Sequence, residues 1–552
     1  MKQENIYWLT GTKISQTLLI AFLACSVGFA RAEEEKSIDI GFTPGPKIPY
    51  DVVDNPAIIR QMLKNDAIDQ ILKAHQLFNL FSWRTFIALN WPAKENGEPD
   101  TSKTIGDKDK GAWRVWNHWR AIDSLFLPNG ETPTPWDSKL YHTKQFATVP
   151  NRQNSNYNPN SVVEAFTAPL VDQNGKWVRF DVRMNQEEFD YIVKNELYNL
   201  DGQVAFSRKE FNNQVDMPLN QGSNTHGAME IKLAWKELGA GDDEQRFYTT
   251  LIDVIPAEEN PAPKRIKVGL VGMHIATRTQ TAPEWVWSTF EQVDNVRINK
   301  DKNGKPTHPN FYNPNLTSAA VNQQPDKNAI IDTDRKLKPA SNPAEANSWI
   351  ESLTTKPVQA QRIAIPTQPN LNPYDVKLSE ITAKVNELAQ KSLKEHDSVF
   401  QYYELVDTQW PLHPNFPAFA SGEKSAPESI RYKTPGAMTP TFVINTTMET
   451  YFQKGKQKAG ALEQDDRLTD NELIDSTIVY GSESCVGCHY SAGIAVAFKK
   501  DDKGNEILKD GKPTPIFGIN NHGGKTGGAN FSWMLQLEPF AKPRNVKTSA
   551  GK

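Results

Sequence analysis

"KVGLVGMHIATRT", residues 267 to 279, alternates with a period of two: Val271, Met273 and Ile275 fall on one face, and Leu270, Gly272 and His274 on the other. This is a strand pattern, apolar or small on both faces, and it has neighbours of the same kind. "KWVRFDVRM" (176–184), "GAMEIKLAW" (227–235), "RFYTTLIDVI" (246–255) and "EWVWSTFEQV" (284–293) are separated by Gly, Pro and charged turns. Strands in such a series predict an antiparallel sheet or barrel, so residues 161–298 read as a β-rich body.

Working outward, residues 33–160 form a Trp-rich helical region. Residues 55–90 carry apolar side chains at helical spacing and predict two helices. "GAWRVWNHWRAIDSLF" places Trp113, Trp116 and Trp119 three apart, a core face rather than a ligand groove. Residues 299–373 are rich in Asn, Pro, Lys and Asp and predict polar linkers and surface loops. Across 374–439 a helix with Leu378, Ile381, Val385 and Leu388 as its stripe precedes a strand, "VFQYYELVDTQWP", that returns to the body. The fold class is therefore α+β.

The chain has 552 residues, 38% of them hydrophobic and 23% charged, with a net charge of −4, which offers nothing to a nucleic acid. At the N-terminus, Lys2 and Lys13 precede "LLIAFLACSVGFA", then Ala30-Arg31-Ala32. That order is a secretory signal cleaved after Ala32; the apolar run is shorter than the roughly 20 residues of a bilayer span. Acylation of Cys25 as a lipoprotein is the alternative. The expected location is a bacterial periplasm or the outside of the cell, with no later transmembrane span.

Cleavage leaves Cys485 and Cys488, in "SESCVGCHYSAG" (482–493), as the only thiols in an oxidising compartment. Four chemistries use such a pair. In c-type haem attachment both thiols bond the porphyrin and the following His489 ligates iron, so every residue of C-x-x-C-H is used. A thioredoxin-like dithiol needs a βαβ setting that is absent here. Zinc needs two further ligands, and a disulfide at this spacing is geometrically awkward. We read the motif as the site of one covalent haem c.

On residues 485–489 the chain resembles c-type cytochromes. "LFSWRTFIALNWP", "GLVGMHIATRTQTAPEWVWSTFEQVDNV", "YYELVDTQWP" and "NTTMETYFQ" are similar to stretches of large bacterial exported cytochrome c family proteins. The resemblance implies a haem protein and supplies no substrate. The haem region, 440–552, departs from small cytochromes: an extended stretch leads in, and "SAGIAVAF" is expected to form the helix leading out of an atypical, mostly helical domain.

The group opposite His489 sets the function, because a second strong ligand favours electron transfer and an open iron favours ligand or peroxide chemistry. Met534, on an expected short helix, and His522, in a glycine-rich loop, are the candidate distal ligands; Met438, Met448, His226 and His274 are remoter ones. His274 reads as a hydrogen-bonded core histidine, and nothing fixes His226 or Glu230 near the iron. No G-x-S-x-G, phosphate loop or H-E-x-x-H occurs. "DKDKG", "DKNGKP" and "DDKGNEILKDGKP" lack the terminal Glu of calcium loops and read as turns. The expected function is an exported electron carrier, with a redox protein as partner. The alternatives are a peroxidase- or oxygenase-like haem enzyme acting on a small-molecule substrate, or a small-ligand haem sensor.

Overall fold

The structure, a computed structural model, describes residues 42–65, 67–107, 113–136, 164, 168–209, 215–254, 264–316, 321–325, 330–331, 337–338, 355–362, 375–412, 438–440, 443–452, 484–489, 492–509, 511–518 and 528–544. The leader with Cys25, the approach to the cysteine pair at 475–483, and His522 lie outside these residues.

An eight-stranded antiparallel sheet organises the chain. Its strands are β1 (Arg120–Ala121), β2 (Arg179–Met184), β3 (Met229–Glu237), β4 (Thr249–Val254), β5 (Lys264–Thr277), β6 (Val286–Gln292), β9 (Tyr403–Pro411) and β10 (Met438–Thr439). The order is β1-β2-β3-β5-β6-β9-β10, with β4 pairing along the first half of β5. A separate two-stranded pair, β7 (Ile330–Ile331) and β8 (Leu337–Lys338), lies within the segment expected to be loop. All five predicted strands of the body are present, and the predicted return strand is β9, inserted between β6 and β10.

One face of the sheet carries helices. α1 (Ala57–Met62) and α2 (Ile68–Leu89) are the two helices expected across 55–90, and α5 (Asp375–Glu395) packs beside α2. α2 is buried almost all round from Phe78 to Leu89, because it has the sheet beneath it and α5 alongside. Phe86 stacks on Phe290 at 4.2 Å, and Ser82 Oγ meets the hydroxyls of Ser288 and Thr408, each at 2.7 Å. The buried stripe of α5 runs Leu378, Thr382, Val385, Ala389 and Leu393, while Leu388 is exposed. The expected stripe is thus rotated, because Thr382 bonds His75 and Asp407 beneath it.

The Trp-rich segment holds a 3-10 turn, Val115–His118, whose three-residue period matches the Trp spacing, then β1 and a second 3-10 turn, Ile122–Ser124; Trp116 and Trp119 are buried, as a core face requires. Residues 299–316 are not wholly surface loop, since Asn310 and Phe311 are buried against the body. α3 (Gln186–Lys194) and α4 (Leu200–Lys209) follow β2.

"SAGIAVAF" is not a helix. Ala495–Phe498 is strand β11, which packs Ala495 and Phe498 against Leu200 and Val204 of α4 and pairs with β14 (Pro515–Phe517) around the small hairpin of β12 (Leu508–Lys509) and β13 (Lys512–Pro513). A short apolar run fits either structure by periodicity, and here the turn at Asp501–Gly504 folds it back as a strand. The described part of 440–552 is therefore a mixture of hairpins and short helices rather than mostly helical. Asp301 and Asp501 each accept backbone N–H groups two and four residues on, at 2.8–3.0 Å, which is the turn chemistry expected of those loops.

Candidate functional site

The second face of the sheet presents three registered rows. In an antiparallel ladder opposed residues share a face and every second residue along a strand joins them. The first row is Met184, Glu230, Ala276, Trp287 and Gln409; the second Val182, Lys232, His274 and Thr289; the third Phe180, Ala234, Gly272 and Glu291.

The third row, with Thr289 of the second, is covered by residues 445–451. Asn445 Nδ2 donates to Thr289 Oγ1 at 2.9 Å, and Thr446 N donates to Glu291 at 2.6 Å. Thr447 sits directly over Gly272, where a Cβ would run into its hydroxyl. The same segment places Glu449 on the second row: its carboxylate meets His274 Nε2 at 2.7 Å and accepts Asn445 N–H at 2.9 Å. Glu164, from far upstream, accepts the backbone N–H groups of Thr450 and Tyr451.

Over the first row lies α6 (Cys485–His489), a single helical turn formed by the motif itself. Val486 N donates to Gln409 Oε1 at 2.9 Å, and the His489 ring lies 4.7 Å from that of Trp287. Residues 528–537 hold α6 from its other side. His489 Nδ1 is 2.7 Å from the carbonyl of Phe531, and Trp533 Nε1 donates to the carbonyl of Cys488 at 3.0 Å. Asn530 and Phe531 are both left-handed, with φ of 51° and 69°. That conformation is costly for Phe. The indole of Trp285 donates to Asn530 O and helps hold the turn.

The Phe531 carbonyl can only accept, so Nδ1 carries the imidazole proton and the Nε2 lone pair is left available for a ligand bond. Burial pushes the His489 pKa down to about 4 against the opposing hydrogen bond to the Phe531 carbonyl, and His274 and Lys232 act in the same direction as burial. His489 is thus a neutral imidazole at neutral pH, the form a metal binds. No disulfide joins Cys485 to Cys488. Burial, then Glu449 and Cys488, push the Cys485 thiol well up, the reverse of the lowered pKa a dithiol nucleophile uses.

Burial also lowers the Lys232 ammonium, although Glu449, Glu164 and Cys488 favour its charge. Burial opposes ionisation of Glu449, but His274 and Lys232 hold it below the usual range. Glu164 is pushed up to about 8 by burial and is protonated at neutral pH. Among the described residues no group of three or more His, Cys, Asp and Glu is arranged to hold a bare metal ion.

Of the residues picked from sequence, Cys485, Cys488, His489 and His274 come together. Met534 begins the short helix α7 (Met534–Leu537) as expected, and it is buried in the apolar cluster that contains Val486, Ala492, Phe531 and Met438. Met448 lies beside Gly272, on the 445–451 segment. His226 stacks on Tyr50 at 4.1 Å. Lys232, Glu449 and Glu164 were missed. Lys232 carried a signal, since the alternation of "MEIKLAW" puts it with Glu230 and Ala234 on a face that an ordinary core would make apolar. No family model matches the chain, and no curated protein or solved structure does either.

Proposed function

We propose that the chain is an exported c-type cytochrome that carries one covalent haem on Cys485 and Cys488, with His489 Nε2 as the proximal ligand, and that it transfers electrons to a redox partner in the periplasm. The observation that carries this reading is the Nδ1 contact of His489 with the Phe531 carbonyl, which fixes ring orientation and tautomer in the manner of a metal-ligating histidine. A haem in this place would supply a one-electron centre. The chain's own residues hold the attachment turn from both sides, through Gln409 and Trp533, and set Trp287 against the ligand ring. Among the described residues no helix is long and apolar enough to cross a membrane.

One observation favours the enzyme or sensor reading. Lys232 and the hydrogen-bonded His274–Glu449 pair are close enough to act on the titration of His489, and such polar groups are costly to bury unless used. Optical spectra of protein matured in a periplasm that attaches c-type haem, oxidised, reduced, and reduced with carbon monoxide, separate the two. A low-spin spectrum indifferent to carbon monoxide supports the carrier. A high-spin spectrum that shifts with it supports an open iron. Absence of covalent haem overturns both.

A further inference from the structure

Glu188 of α3 and Glu230 of β3 form a carboxyl pair behind the histidine turn. Asn185 caps α3 by accepting Glu188 N–H at 3.3 Å and also accepts Met229 N–H at 3.0 Å, so one side chain fixes the two acids' elements together. Glu188 is 0% exposed, and neither of its carboxyl oxygens, nor Oε1 of Glu230, has a protein donor. Burial and the neighbouring Glu230 push the Glu188 carboxyl well up, burial raises Glu230 against the opposing influence of Glu188 and Ser532, and the Ser532 hydroxyl beside Glu230 has no hydrogen-bond partner. Two carboxylates can only accept. Buried side by side they are satisfied when one proton lies between them.

The pair is joined to the candidate haem site by chain and by sheet. Ser532 follows Phe531, whose carbonyl meets His489 Nδ1, and Glu230 stands in the row of Trp287 and Gln409 on which α6 rests. The other titratable groups around it are engaged elsewhere or more distant. Glu187 of α3 is held by Asn185 Nδ2, and His274 by Glu449; Asp190 is exposed, Lys232 lies over the Phe180 ring, and His489 is neutral.

We propose that Glu188 and Glu230 exchange one proton in step with the electron held at the candidate haem site beside His489. This rests on the haem reading above. The oxidised protein holds one proton between the two carboxyls; for each electron that a one-electron donor delivers to the haem site, the pair takes a second proton from water and forms a second carboxyl O–H bond, and on oxidation that bond breaks and the proton returns to water. Glu230 as a residue is partly exposed whereas Glu188 is not, so Glu230 is the nearer of the two to solvent.

The test uses the full-length, haem-loaded protein and its E188Q/E230Q variant, with the midpoint potential followed from about pH 5 to pH 9. The expected result is a potential that falls by about 59 mV per pH unit across the titration of the pair, one proton per electron. That slope disappears in the variant while covalent haem and optical spectrum persist. A flat wild-type profile, or a slope unchanged in the variant, overturns the proposal. Should the variant not fold, the infrared difference spectrum of wild type, reduced minus oxidised, decides: a deuterium-sensitive protonated-carboxyl band is required, and its absence overturns the coupling. If no covalent haem is found, the functional reading fails together with the coupling, and the carboxyl band in a pH titration of the haem-free protein still decides whether the shared proton exists.

Discussion

At the scale of single residues, the site depends on groups that hold a short turn rather than on the turn's own propensity. Five residues cannot sustain a helix alone, since the first turn costs more than it returns. Cys485–His489 is held by Gln409 from the sheet, by the Phe531 carbonyl and by the Trp533 indole. Trp533→Phe keeps most of the ring and removes one N–H, and a hydrogen bond of this kind contributes about 1 kcal/mol net. Urea unfolding should show a free energy lowered by that amount, seen as a lower midpoint at unchanged slope, with covalent haem retained. An unchanged midpoint would mean that the indole does not hold the turn.

At the scale of elements, the 445–451 segment reaches the sheet because Gly272 leaves room for it. A Cβ at 272 would meet Thr447 Oγ1 and come within 3.2 Å of Asn445 Oδ1 and 3.3 Å of Met448 Cε. Gly272→Ala should cost about 1–3 kcal/mol by overpacking. Hydrogen exchange should quicken at Thr450 and Tyr451, whose amides Glu164 accepts, and not along α2 on the opposite face. Uniform loss of protection would contradict this assignment. The elements themselves were largely legible in the sequence, because strands with period two and helices such as α2 and α5 carry their pattern locally. The β11 strand was not legible, because a short apolar run acquires its structure from pairing with β14. The motif was legible as chemistry, since Cys485, Cys488 and His489 are contiguous. Glu449 and Lys232 were not, because their meeting depends on sheet register and on a segment more than 200 residues away.

For the molecule as a whole, buried acids give stability a pH dependence. Glu164 and Glu284 are each pushed by burial to about 8, so both are neutral in the fold and ionised in the unfolded chain above their usual value of 4.5. The folded state then holds more protons, and stability falls as pH rises from about 4.5 to 8, by up to about 1.4 kcal/mol per pH unit for each acid. Glu404, Glu449 and Asp294 are held low and act only in more acidic solution, where their contribution is lost as pH falls. Glu284→Gln should therefore flatten the urea-derived stability profile across that window, and parallel profiles would refute the assignment. The central claim concerns the whole exported chain and is tested most directly by its intact mass after denaturation, compared with Cys485→Ala and Cys488→Ala. The wild-type mass should be increased by one haem that survives denaturation, and each variant should lose that increment in part or completely. A wild-type mass equal to the bare polypeptide, or an increment unchanged in both variants, would contradict the claim.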